Sequence, residues 1–461
     1  MVYRKLIGPP KVFPKICPGG HGVRTGLLLR FAAVAAAAGL AAPALGAPLQ
    51  DELRGLVEDH PLIKSNQAQV SSAAQASRAT LAPFLPSLDV SGDYGYEHVS
   101  IPAFRASPDG PFQTDAHNYS ATLKQNLWDG RKYANRAGAK LNEEATVANA
   151  TSVRQNAMLE GATAYINLLR QNELVDLSGQ NETNIRKQLN LEDERVRRGS
   201  GIAVDVLQAK SRLQVSLERL VAYKGAFQDA HSRYTQVFGH PADLANMTTP
   251  NLPRQLMPQT AEDAVAIALQ ENPNVTVSDK RIAITHEQKR SAQAEYAPSV
   301  DMVVQEKYQE NYFGAPGIRR DRTAKLQVTW NLFNGFATSA RASQAAYDEV
   351  ARLNDAAETR RKTEESTRIA FQQLQTTTER VGLLENAVNI ASEVFEARKK
   401  LRESGKETVI NVLDAENEVY SARIAYTSAL YDARIAQFQL LAAMGRLEYD
   451  RVAIALTLPP L

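Results

Sequence analysis

The sequence predicts a mainly α-helical chain of long coiled-coil hairpins that also carries four membrane-type β-strands, built as an internal duplication. Three observations carry that expectation. Landmarks recur at a nearly constant offset, proline is missing from two long stretches of helix formers, and a pair of segments alternating with period two precedes each stretch.

The chain has 461 residues, 44% apolar and 23% charged, enough for a large buried core. Apart from an alanine-rich stretch near the start, no apolar run is long enough for a membrane-crossing helix. In that stretch Arg24 and Arg30 precede the apolar run from Phe31 to Leu40, and Ala44 and Gly46 stand three and one residues ahead of a cut before Ala47. The pattern is that of a secretory signal peptide over residues 1–46. It holds six of the 53 basic residues, so the exported chain keeps 47 against 51 acidic ones and is mildly acidic. Cys17, the only cysteine, leaves with it, which excludes disulfides and cysteine zinc sites. A nucleic-acid partner is not expected, because phosphate contact needs clustered positive charge.

The duplication sets the domain plan. His60-Pro61 corresponds to Asn272-Pro273, and Pro86-Ser87-Leu88-Asp89 to Pro298-Ser299-Val300-Asp301, both at an offset of 212. Asn126-Leu127-Trp128-Asp129-Gly130 matches Asn331-Leu332-Phe333-Asn334-Gly335 at 205; Gly199, Val206, Leu207 and Ala209 match Gly405, Val412, Leu413 and Ala415 at 206, as Gly239 matches Gly445. The expected plan is a first repeat over 47–239, a proline-rich linker over 240–260, a second repeat over 261–445 and a tail over 446–461. Within the repeats, long helices are expected over 131–198 and 336–404 and returning helices over 203–238 and 408–444.

Proline breaks helix interiors, and none occurs from 112 to 240 or from 317 to 458. Those stretches are rich in Ala, Leu, Glu, Gln, Lys and Arg, the strong helix formers. Leu374, Val381, Val388 and Phe395 recur every seven residues with Thr377, Leu384 and Ala391 between them, a coiled-coil seam. Glycine at 199 and 405 ends each long helix and turns the chain back.

Strand pairs are expected at about 87–128 and 299–333. In the first, Leu88, Val90, Tyr94 and Tyr96 alternate with Ser87, Asp89, Ser91 and Asp93, followed by Tyr119, Ala121 and Leu123 against Ser120, Thr122 and Lys124. The second repeats the pattern with Val300, Met302 and Val304, then Ala324, Leu326 and Val328. One apolar face and one polar face fit a membrane β-barrel with lipid outside and water inside. Four strands cannot close a barrel, so such a chain must oligomerise.

On the duplication, the strand-ending Asn-Leu-Trp-Asp-Gly and Asn-Leu-Phe-Asn-Gly segments and the turns Gly199 to Ala209 and Gly405 to Ala415, the chain resembles the TolC family of bacterial outer-membrane channel proteins, particularly its type I secretion members. The resemblance implies a homotrimer with a twelve-stranded barrel in outer-membrane lipid and a helical tunnel across the periplasm. It implies a passive exit conduit for protein secretion or small-molecule efflux, driven by an inner-membrane ABC or proton-driven transporter through a periplasmic adaptor. The two turns become the periplasmic tip, with Arg198, Gly199, Ser200, Ser404, Gly405 and Lys406 as the adaptor-docking surface. The constriction falls to Asp414, Asn411, Arg402, Glu407 and Asp205, where Asn411 replaces one of the family's two inward acids. Arg402 and Glu407 replace the tyrosine and arginine of the family's latch, and an Arg402 to Asp205 ion pair is a candidate substitute. A ring of Asp414 carboxylates implies cation preference.

Enzyme chemistry is not expected, and neither is a cofactor. The seven histidines show no H-E-x-x-H spacing, and Gly199-Ser200-Gly201 is neither a nucleophile elbow nor a phosphate loop. The alternative reading is a periplasmic coiled-coil scaffold with a small soluble sheet and no channel activity.

Overall fold

The computed structural model describes residues 48–100, 102, 112–200, 202–250, 256–314 and 316–457. The signal-peptide expectation lies outside them. In the first repeat, α1 (Leu49–Asp59) and α2 (Pro61–Ala79) lead to β1 (Ser87–Val99) and β2 (Phe112–Trp128), then to the long α3 (Gly130–Arg197) and the returning α4 (Ala203–Phe238). The second repeat gives α5 (Ala261–Glu271), α6 (Pro273–Gln293), β3 (Ser299–Glu310), β4 (Ile318–Thr329), α7 (Ala337–Glu403) and α8 (Val409–Ala443), followed by α9 (Tyr449–Thr457). At 1.5 Å per residue the 68 residues of α3 and 67 of α7 each run about 100 Å.

Local chemistry explains the boundaries. His60 and Asn272, equivalent in the duplication, both cap the helix that follows: His60 Nδ1 accepts from the Leu62 N–H and Asn272 Oδ1 from the Asn274 N–H, with Pro61 and Pro273 at the first helical position. Asp129 caps α3 by accepting from the Arg131 N–H at 3.0 Å. Its counterpart Asn334 works differently, bonding Thr338 through both its amide and its carbonyl. Gly335 and Phe336, between Asn334 and Thr338, adopt positive φ; β4 has already ended at Thr329, and Trp330 donates through Nε1 to the Tyr296 carbonyl.

The four strands form one antiparallel sheet in the order β1-β2-β3-β4, with one edge of β1 and one of β4 unpaired among the described residues. The register places Leu88, Leu123, Val304 and Ala324 in one row across the sheet, and Met302 opposite Leu326. Val90 is 76% and Leu326 68% exposed, so no part of the described chain covers this apolar face. The opposite face carries a hydrogen-bonded ladder: Ser91 to Ser120, Asn118 Nδ2 to Asp93, Gln305 Nε2 to Thr122 and Gln309 Nε2 to Asn118. Period two thus separates an apolar from a wet surface.

The main core lies where α1, α3, α5 and the ends of α4 and α8 meet, around Leu49, Leu53, Met158, Tyr165, Tyr234, Phe438 and Met444. Tyr165 Oη bonds the carbonyl and the N–H of Thr248, fixing the linker to α3. α2 packs along α3 towards the strands and α6 sits between α3 and α7, while α4 and α8 pair with α3 and α7 on the other side of the core. In the α7 seam Thr377 and Ala391 are buried and Leu374, Val381, Leu384, Val388 and Phe395 half-buried.

The glycine-turn tip as the candidate functional site

Both long helices end in the same way. The Gly199 N–H donates to the Val196 carbonyl and the Ser200 N–H to Arg195; the Gly405 N–H donates to Arg402 and the Lys406 N–H to Leu401. This is the Schellman pattern, and it requires the left-handed backbone seen at Gly199 (φ +78°) and Gly405 (φ +76°). The Ser200 and Ser404 hydroxyls donate to the Arg195 and Leu401 carbonyls, satisfying further helix-end acceptors. Among the described residues Arg198 pairs with Glu194 at 3.5 Å, both exposed, and Lys406 is exposed. Arg198, Gly199, Ser200, Ser404, Gly405 and Lys406 therefore leave an open surface at the two turns.

Behind the turns the charged residues form three groups. Arg402 donates through Nη2 to both carboxylate oxygens of Glu192 at 3.4 Å and through Nη1 to the Glu407 carbonyl at 3.2 Å. Glu192 is buried and also accepts from Arg195 at 3.1 Å. The anticipated partner Asp205 is not the one used: it lies in the first turn of α4, where the helix dipole favours a carboxylate. Glu192, buried in the folded chain, takes the guanidinium instead.

Glu407 and Asn411 form the second group. Glu407 Oε1 accepts from the Asn411 side-chain amide and from the Thr408 N–H at 3.0 Å, and these bonds hold the Glu407 carboxyl below its usual range. The third group joins the two hairpins, with Asp414 of α8 paired to Arg212 of α4. One turn further along α8, two along α4, Arg219 Nη1 donates to Asn417 Oδ1 at 3.3 Å. The structure thus joins Arg402, Glu407 and Asn411 by hydrogen bonds, whereas Asp414, one turn on from Asn411, is paired with Arg212 and Asp205 is not the partner of Arg402.

Glu192, Arg212, Arg219 and Glu416 belong to this site and no sequence motif marks them. Glu416 is buried on α8, its Oε2 has no hydrogen-bond partner, and burial pushes its carboxyl up from the ordinary range. The duplication does carry one signal. At the offset of 206, Asp205 is the counterpart of Asn411 and Gln208 that of Asp414, so each repeat keeps one acid and one amide three residues apart.

The model of the outer membrane efflux protein family matches residues 54–240 and 264–446, one segment in each half of the duplication. The chain is 24% identical over 357 residues to the outer membrane efflux protein BepC of Brucella suis, covering 74% of this chain and 76% of that one. It is 23% identical over 413 residues to the outer membrane protein TolC of Escherichia coli, covering 86% and 82%. Among solved structures, the outer-membrane channel OprN superposes with a TM-score of 0.77 at 17% identity, covering 86% of this chain and 89% of that one. Because the family model covers most of the chain, in both halves of the duplication, the chain belongs to the outer membrane efflux protein family, and it is an exit channel of the outer membrane.

Proposed function

We propose that three copies of this chain form one duct, with four strands from each closing a barrel in the outer membrane and the hairpins closing a tunnel across the periplasm. The four-stranded sheet carries this reading. Its two open edges, its exposed apolar face and its hydrogen-bonded polar face fit a segment of a larger closed barrel, since about eight strands is the smallest that closes.

The duct is a passive conduit that makes no covalent bonds. An inner-membrane transporter, ATP-driven or proton-driven, supplies the work through a periplasmic adaptor that docks on Arg198, Gly199, Ser200, Ser404, Gly405 and Lys406. At rest the tip is narrowed at Asp414, Asn411, Arg402, Glu407 and Asp205, and it opens when the adaptor shifts the packed hairpins between two arrangements. Both protein secretion and small-molecule efflux fit this duct, because the transporter selects the substrate.

The test is single-channel recording of the detergent-purified chain in a planar bilayer, beside gel analysis of the unheated protein. Small, long-lived conductance steps and a heat-resistant trimer are expected. Extraction without detergent as a monomer that gives no steps overturns the proposal in favour of a periplasmic coiled-coil scaffold.

A further inference from the structure

Asp414 does not face the solvent as a lone acid. Arg212 and Arg219 stand seven residues apart on one face of α4, and Asp414 and Asn417 three apart on one face of α8. The two helices touch little here, and the two arginines reach across, Arg212 to the Asp414 carboxylate and Arg219 to the Asn417 amide. Between the rungs lies a cavity of about 170 Å³ lined by Arg212, Ser216, Arg219, Glu416 and Asn417. The charges on this surface do not add up to an acidic site. Asp414 is matched by the Arg212 guanidinium, Arg219 is hydrogen-bonded to a neutral amide and borders the same cavity as Glu416, and Asn411 carries no charge. Burial pushes the Glu416 carboxyl up from its ordinary range, while the Asn184 amide and Lys399 act in the opposite direction.

A contact ion pair presents a dipole rather than a charge, and a dipole's field fades faster than that of the Arg219 charge within the roughly 8 Å over which physiological salt lets charges act. We propose that Arg212 and Arg219 set the ion selectivity at Asp414, Arg212 by pairing with its carboxylate and Arg219 by adding a positive charge beside it, so that this position lacks the cation preference of an unpaired acid ring. This rests on the reading that Asp414 lies at the constriction.

Reversal potentials in a salt gradient, measured on the full purified chain in planar bilayers with and without millimolar divalent cation, test it. The wild type is expected to show weak or anion-leaning selectivity and no divalent block. Arg212→Gln frees Asp414, so the cation-to-anion permeability ratio should rise about threefold or more and divalent block should appear. Arg212→Lys should behave as wild type, and the double variant R212Q/D414N should return to neutral selectivity without block. Arg219→Gln, which leaves the Asp414 pair intact, gives an independent shift in the cation direction. A wild type that is already cation-selective and divalent-blocked, and that Arg212→Gln leaves unchanged, overturns the proposal. If Asp414→Asn alone changes neither conductance nor selectivity, Asp414 lies off the ion path, and the constriction reading fails instead.

Discussion

Arg402 at the end of α7 donates to both oxygens of the buried Glu192 carboxylate near the end of α3, tying together two hairpin tips 210 residues apart in the chain. The pair is asymmetric: the Glu192 side chain is 4% exposed and that of Arg402 27%. Removing the arginine therefore leaves a buried carboxylate with Arg195 as its remaining cation.

Replacing Arg402 with Ala is expected to cost about 1–3 kcal/mol at the tip, less than for a fully buried pair because Arg402 keeps some solvent contact. The readout is a larger mean conductance in bilayers. A double-mutant cycle with Glu192→Gln should return a coupling of about 1 kcal/mol from thermal melts. Additive effects would deny the tie.

Glu416 gives the tip a pH dependence. Its folded-state pKa lies above the unfolded value, so the packed state carries no penalty while both forms are protonated. As pH rises through the unfolded pKa the unfolded carboxyl ionises first, and stability falls until the folded pKa is passed. Glu416→Gln removes that decline, so its melting temperature should gain on the wild type as pH is raised from about 4 to neutral. Parallel melting curves across that range would remove Glu416 from the account.

Two left-handed glycines separate strain from crowding. At Gly199 an added Cβ meets nothing within 4 Å, so Gly199→Ala should cost only the backbone penalty of about 1 kcal/mol. At Gly445 the same atom falls 2.6 Å from the Asn272 Cα, and Gln155 Nε2 bonds the Gly445 carbonyl at 2.6 Å. Gly445→Ala should therefore lower stability by about 3 kcal/mol or more, read as the difference between the two melting temperatures. Equal losses would deny the close approach.

On the sheet, Val90→Arg places a charge on the apolar face at about 2–4 kcal/mol if it lies near the bilayer midplane, whereas Ser120→Arg on the polar face should be tolerated. Outer-membrane fractionation after expression reads the contrast. A scaffold whose sheet is bathed in water on both faces would tolerate both.

The sequence by itself determined the features that depend on neighbours close along the chain. The period-two faces, the proline-free helices and the glycine turns each follow from backbone chemistry acting over a few residues, so Gly199, Gly405 and the alternation from Leu88 to Tyr96 were legible as written, and the duplication was legible because the same local patterns recur 205 to 212 residues on. Only the tertiary structure decided which charges meet. Arg402 has Glu192 and not Asp205, Asp414 has Arg212, and Glu416 is buried without a partner for Oε2. Such pairings depend on how two helices about 100 Å long are set against each other in rotation and register. A helix presents a new side chain every 100° of turn, so a small rotation changes the partner of every charge on its surface without altering the local pattern that made it a helix.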